Sequence, residues 1–199
     1  MDVSELHDDP LRQFADWYAD ADAARVVYPE AMTLATADAQ GRPSARMVLL
    51  RGHDDRGFVF FTSSESRKGQ ELAENPRAAL VLYWQPLERQ VRVEGAVEPV
   101  SREESLAYFR TRPRGSRLAA WASPQSAPIV DRAELERRYD EMVQRFGEEG
   151  EVPLPPFWGG YRVEPDSVEL WQHRDDRLHD RLRYRRSPSG AWMVERLQP

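Results

Sequence analysis

Arg177, His179 and Arg181 alternate within the run Arg177-Leu178-His179-Asp180-Arg181, and alternation is the spacing of one strand face. On a strand these three side chains point together while Leu178 and Asp180 point away; a helix would split the set. A guanidinium is a planar fork of donors that matches phosphate or carboxylate, and an imidazole gives or takes a proton near neutral pH. The set suits a small phosphorylated or acidic ligand. The same charges also suit a solvated strand edge held by neighbouring acids. Further cationic groups bear on the choice. Arg46 and Arg51 flank Met47-Val48-Leu49-Leu50, Ser66-Arg67-Lys68 opens a helical pattern, and Arg110, Arg112, Arg114 and Arg117 crowd a second. Such clustering calls for an explanation in a chain of net charge −6.

Arg67 and Lys68 fall in the first turn of their helix, where the macrodipole is positive and cations are mildly unfavourable. A bound anion reverses that sign, and the free backbone N–H groups of a helix start add a phosphate cradle. Two solvated charges beside Glu65 and Glu71 are the alternative. Arg46 and Arg51 are an odd number of residues apart, so on a regular strand they face opposite sides, and one pocket does not take both unless a bulge intervenes. Gln90 can read a heterocycle edge through its amide or be a surface strand glutamine. Trp121 and Trp171 can flank an aromatic ligand or serve as core and interface residues.

The elements that position these residues follow from local pattern. Asp9-Pro10 followed by Leu11, Phe14, Ala15 and Tyr18 predicts an N-capped first helix over about residues 10–25. Residues 32–36 and 44–50 read as a hairpin, and 57–62, 78–84 and 89–97 as further strands. A short helix over 66–74 ends at Asn75-Pro76. Helices over 102–110, 116–121 and 132–146 make a helical segment of about 102–146, and strands return at 158–163, 167–171, 178–184 and 191–197. Residues 148–156, with three prolines, read as an exposed loop. The class is mainly β with flanking helices (α+β), and the close antiparallel strands predict a barrel.

With 199 residues, 40% of them hydrophobic, the chain can bury one substantial core, and a single domain over 1–199 is expected. The 34 acidic residues argue against a nucleic-acid surface. Cysteine is absent, which excludes disulfides and thiolate chemistry, and His7, His53, His173 and His179 show no zinc-helix spacing, so no metal is expected. An acidic start and the lack of a long apolar run point to a cytoplasmic protein without membrane association.

Taken in order, Arg46-Met47-Val48-Leu49-Leu50-Arg51, Phe61-Thr62, Ser66-Arg67-Lys68, Glu88-Arg89-Gln90, Tyr108-Phe109 through Arg112-Pro113-Arg114-Gly115-Ser116, Gln125-Ser126, Phe157-Trp158-Gly159-Gly160 and Arg177-Leu178-His179-Asp180-Arg181 closely resemble the pyridoxamine 5'-phosphate oxidase family. The resemblance covers about Asp9 to Pro199. Each motif alone is weak, but the Arg-Pro-Arg segment together with the closing Arg-Leu-His-Asp-Arg is specific.

The resemblance implies an FMN-binding split β-barrel that works as a homodimer with the flavin held between subunits. It implies oxidation of pyridoxine or pyridoxamine 5'-phosphate to pyridoxal 5'-phosphate, with electrons passed to oxygen to give hydrogen peroxide. Carried over by resemblance, the FMN set is Arg46, Met47, Val48, Leu49, Leu50, Arg51, Phe61, Thr62, Arg67, Lys68, Gln90, Gln125, Ser126, Trp171 and Arg181. The substrate set is Arg51, Tyr108, Arg112, Ser116, Arg177 and His179, with Arg177 and His179 over the reacting ring. Arg51 stands where the family often has lysine and Phe61 where it often has tyrosine, which keeps the charge and the ring. The basic segment that often precedes the first helix is absent from residues 1–7, which implies looser closure or closure by another loop. A phenazine-type split-barrel oxidase is the nearest rival, against which the Tyr108, Arg112 and Ser116 set argues. A non-catalytic flavin- or pyridoxal-phosphate-binding protein is the other, against which Arg177 and His179 argue.

Overall fold

The computed structural model describes residues 1–147 and 149–199. In chain order the elements are α1 (Pro10–Ala23), β1 (Ala31–Ala37), β2 (Pro43–Leu49), β3 (Gly52–Asp54), β4 (Gly57–Ser63), α2 (Arg67–Glu74), β5 (Arg77–Trp84) and β6 (Arg89–Pro99). They continue with α3 (Arg102–Thr111), α4 (Arg114–Ala122), α5 (Arg132–Phe146), β7 (Trp158–Gln172), β8 (Asp180–Arg186) and β9 (Trp192–Arg196). All the strands join one antiparallel sheet in the order β2-β1-β5-β6-β7-β4-β3, with β8 also on β7 and β9 on β8.

Alternation decides which face is core. β1 turns Met32, Leu34 and Thr36 inward, β5 turns Ala78, Leu80, Leu82 and Trp84 inward, and β6 does the same with Val91 and Val93. α1 closes over them with Leu11, Phe14, Trp17 and Ala21 at helical spacing. The Asp9 carboxylate accepts from Leu11 N at 2.9 Å to cap that helix. Phe14 meets Phe58 edge-on at 4.8 Å between centroids, and its full burial contributes about 1.5–3 kcal/mol.

The expected separate strands over 158–163 and 167–171 are one strand. β7 pairs along one edge with β6, while its first half pairs with β4 and its second half with β8 on the other. Pro165 does not stop it, because a register shift between Glu94 and Gly95 takes up the irregularity. Gly95 is required there: a Cβ would sit 1.9 Å from the Glu164 carbonyl oxygen. β3, too short to show periodicity, is an addition to the strands read from sequence.

Two further expectations change. The 148–156 stretch, whose Glu148 lies outside the described residues, is a loop that is exposed only in part: Glu149, Gly150, Glu151, Pro153 and Pro156 are exposed, but Val152, Leu154 and Pro155 are buried. Val152 and Leu154 are buried with Phe109, Leu118 and Trp158 in a second core. The Arg102 guanidinium donates to the carbonyls of Leu154, Pro155 and Trp158, so the prolines shape a pinned strap. The run 177–181 is not one strand either, since β8 starts at Asp180.

The sheet's outer face carries a row of side chains away from this core. Met47 faces Thr33, Thr33 faces Val81, Val81 faces Arg92, Arg92 faces Glu169 and Glu169 faces Arg183. Beside it, Tyr83 pairs with Gln90, Gln90 with Trp171, and Trp171 with Arg181. Met47 and Tyr83 on this face are 64% and 54% exposed.

Candidate active site

A cavity of about 810 Å³ opens where β2, β4, the start of α2 and the junction of α3 with α4 meet. Its lining includes the cations Arg46, Arg51, Lys68 and Arg112 and no carboxylate. In a chain with an acidic balance, that segregation marks an anion site. The separation expected for Arg46 and Arg51 does not hold, because both line it. Arg46 lies within β2, but Arg51 lies beyond the strand's end, where strict alternation stops, and its backbone N–H donates to Val59 O.

Lys68 is fixed from the first turn of α2. Its neighbour Ser66 caps the helix by accepting from Gly69 N, which turns the lysine stem into the protein, where only 6% of it stays exposed. Its Nζ donates to Thr62 Oγ1 at 3.1 Å, Gln125 Oε1 at 3.1 Å and Ser66 Oγ at 3.4 Å. Burial and the Arg46 charge pull its pKa down to about 8, against the opposing pull of Glu71. Arg67 turns elsewhere. Its Nε donates to Glu71 at 2.8 Å, and it lines a second depression that shares no lining residue with the cavity.

Across the cavity, Phe61, Tyr108 and Trp158 form a stack, with Phe61 and Tyr108 centroids 4.0 Å apart and Phe61 and Trp158 5.4 Å apart. Arg112 ends α3 in an extended conformation just before Pro113, which delivers its guanidinium over the Trp158 ring at 4.8 Å. Burial lowers its pKa. Its Nη1 is buried and has no hydrogen-bond partner, a costly state that a ligand oxygen would relieve. Ser116 lines the same wall. The other arginines of that cluster disperse: Arg110 faces Glu151 at 3.6 Å, Arg114 donates to the carbonyls of Gly147 and Gly150, and Arg117, whose Nε is likewise buried without a partner, does not line the cavity.

Arg177 and His179 do not share a strand face with Arg181. Asp176 and Arg177 adopt left-handed backbone, φ 55° and 62°, in a 3-10 turn over Asp175–Arg177, and this redirects the chain before β8. His179 Nδ1 accepts from Arg174 N at 3.1 Å, so its neutral ring carries the proton on Nε2. Its ring lies 4.7 Å from that of Trp171. Arg181 Nε donates to the buried Glu169 at 2.8 Å. The sequence-derived set is therefore divided. Arg46, Met47, Val48, Leu49, Arg51, Phe61, Thr62, Lys68, Tyr108, Arg112, Ser116 and Gln125 line the cavity. Gln90, Trp171 and Arg181 lie along the outer sheet face, while Leu50 is buried in the core and Ser126 is exposed off the cavity. Trp121 is not a ligand-flanking ring: it packs on Phe157 and donates to Pro153 O. Trp158 was missed as a site residue although it stands in a quoted motif, and Glu71 was missed although it follows Arg67 by one helical turn.

Residues 19–146 match the family described as pyridoxamine 5'-phosphate oxidase, and residues 158–199 match the pyridoxine 5'-phosphate oxidase C-terminal dimerisation region. The pyridoxine/pyridoxamine 5'-phosphate oxidase of Salinibacter ruber is 58% identical over 193 residues, covering 96% of this chain and 90% of that one. The Bordetella petrii protein of the same name is 60% identical over 190 residues, with 96% and 89% covered. The chain belongs to the pyridoxamine 5'-phosphate oxidase family. It is an oxidoreductase with FMN as cofactor. PhzG from Burkholderia lata, solved with tetrahydrophenazine-1-carboxylic acid, is 37% identical with a TM-score of 0.92, covering 98% of this chain and 95% of that one. A pyridoxamine 5'-phosphate oxidase-related, FMN-binding protein from Nostoc punctiforme, 20% identical with a TM-score of 0.76 over 98% of this chain and all of that one, has the same fold. The curled antiparallel sheet is thus the family's flavin-binding split barrel.

The residues present fit FMN. A carboxylate-free, cationic cavity of this volume lies in the range of cofactor sites, and Lys68, held by neutral oxygens beside Arg46, has no carboxylate among its hydrogen-bond partners, which leaves its ammonium suited to an anion. No helix among the described residues is long and apolar enough to cross a membrane.

Proposed function

We propose that this flavoenzyme oxidises pyridoxamine 5'-phosphate or pyridoxine 5'-phosphate to pyridoxal 5'-phosphate, as a homodimer in which the whole chain, 1–199, acts as one domain. The observation that carries the reading is the partnerless, buried Arg112 Nη1 in a wall shared with Tyr108, Ser116 and Arg51. That wall is built for a second anion besides the cofactor's own phosphate. When bound, FMN would supply a two-electron acceptor whose electrons pass to oxygen to give hydrogen peroxide; the amine substrate also consumes water and releases ammonia, the alcohol does not.

The chain's own residues bind and orient. Arg46 and Lys68 hold the flavin phosphate, with Thr62 and Gln125 beside them, while Arg67 lies against Glu71 outside the cavity. Arg112, Tyr108, Ser116 and Arg51 hold the substrate phosphate. Gln90, Trp171 and Arg181 do not line the cavity of their own chain, so a second copy supplies them, together with Arg177 and His179 against the pyridine ring. His179 then acts as a donor through Nε2–H, and Arg177 places the reacting C4' carbon.

The close superposition with PhzG favours, as a second reading, oxidation of a reduced phenazine carboxylate, which has no phosphate for Arg112. Purified protein carrying yellow flavin absorbance decides between them when offered each substrate in an oxygen electrode. Oxygen uptake with pyridoxal phosphate formation is expected for the phosphorylated vitamers. Uptake with the reduced phenazine alone selects the second reading, and bound flavin without turnover on any of them would show a binding protein.

A further inference from the structure

We propose that Glu71 is a positioning residue for the cofactor's phosphate site, clamping the guanidinium of Arg46 directly and through two hydroxyls while holding Arg67 by its Nε. This rests on the reading that Arg46 and Lys68 receive the FMN phosphate. Glu71 sits on α2 and is 5% exposed. Its Oε1 accepts from Arg67 Nε at 2.8 Å. Its Oε2 accepts from Ser44 Oγ at 2.6 Å, Thr36 Oγ1 at 2.5 Å and Arg46 Nη2 at 3.3 Å. The hydroxyls also accept from the same arginine, Thr36 from Nη1 and Ser44 from Nη2. One carboxylate thus ties β1, β2 and α2 together around the side chain that reaches the cavity.

Burial pushes this carboxyl up, but donors from Ser44, Thr36, Arg67 and Arg46 outweigh it and hold its pKa at about 2. Glu71 is therefore an anion placed behind an anion site. Two effects of opposite sign follow. Through space, its charge repels a phosphate, so removing it should tighten FMN binding. Through contact, it fixes a long side chain that otherwise loses rotamer entropy on binding, so removing it should weaken FMN binding. Several short hydrogen bonds at a buried site favour the contact effect, because they hold the fork in place before the ligand arrives.

Titration of the apoprotein with FMN and with riboflavin, followed by flavin fluorescence, separates the possibilities. Glu71→Gln and Thr36→Val should each weaken FMN about tenfold, while riboflavin affinity stays within about twofold of the parent. Thr36→Val keeps shape and charge while removing one hydroxyl's bonds to both Glu71 and Arg46, so it tests the clamp as a whole if Glu71→Gln does not fold. Tighter FMN binding in Glu71→Gln, or unchanged FMN binding in Thr36→Val, overturns the proposal, and equal weakening of both flavins by Glu71→Gln reduces the residue to a structural role. Lys68→Met serves as the control. If it weakens FMN selectively while the other variants do not, only the role of Glu71 fails; if it weakens both flavins equally, the phosphate site lies elsewhere and the underlying reading fails with it.

Discussion

Lys68 is an ammonium buried among three neutral oxygens, and that arrangement makes its charge depend on pH. Its pKa in the folded chain is about 8, against 10.5 for a free side chain. Between those values the unfolded chain binds more protons than the folded one, so the apoprotein should gain stability as pH rises through this window. A phosphate beside Nζ favours the charged form, so FMN binding above pH 8 takes up a proton. FMN affinity should therefore fall above about pH 8, by up to about tenfold per pH unit, with riboflavin affinity flat. A pH-independent FMN affinity up to about pH 10 would remove Lys68 from the phosphate. Arg112 bears on stability differently. Its partnerless Nη1 costs the free protein about 1–3 kcal/mol. Arg112→Met should raise the apoprotein's Tm and, by deleting a charged contact, raise KM for the phosphorylated substrate roughly ten- to a hundredfold. FMN affinity should survive. A lower Tm with unchanged KM would mean the guanidinium serves only the packing on Trp158.

Caps and alternation made most elements legible before the structure. Asp9-Pro10 starts α1, Ser66 caps α2, and the β1–β2 hairpin follows its alternating residues. What stayed hidden were features decided by contact rather than by local pattern. Pro165 reads as a strand break, yet β7 runs through it because Gly95 on the facing strand lets the backbones close up. Val152 and Leu154 sit among prolines and read as loop, but a second core was waiting for them. The left-handed pair Asp176-Arg177 defeats the face argument for Arg177, His179 and Arg181, since nothing in Arg-Leu-His-Asp-Arg announces positive φ. In the proposed site, that turn sets the direction of Arg177. Asp176→Pro, which forces φ to about −65°, should lower kcat by on the order of tenfold or more through misplacement. The exposed segment should let the fold and FMN affinity stand. Unchanged kcat would show that Arg177 finds its position without the turn.

At the scale of the molecule, the types of the site residues were readable in the sequence, but their division into two groups was not. Which side chains share a cavity depends on how the sheet curls, and the curl puts Arg46, Lys68 and Arg112 on one side and Gln90, Trp171 and Arg181 on another. A flavin that needs both groups needs two chains. The outer face fits that demand: Met47 and Tyr83 leave apolar surface exposed beside Gln90 and Trp171, and such surface favours burial against a second copy. The row is self-consistent, because the strands that carry it include β7 and β8, within the matched dimerisation region. Tyr83 belongs to neither carried-over set, so Tyr83→Glu tests the interface without touching the ligands. A buried, unpaired carboxylate at such a position costs several kcal/mol. Sedimentation of this variant should show monomer at concentrations where the parent is a dimer, and FMN affinity should fall with it and recover as protein concentration is raised. A flavin-loaded monomer, in the variant or in the parent, would mean that one chain completes its own site.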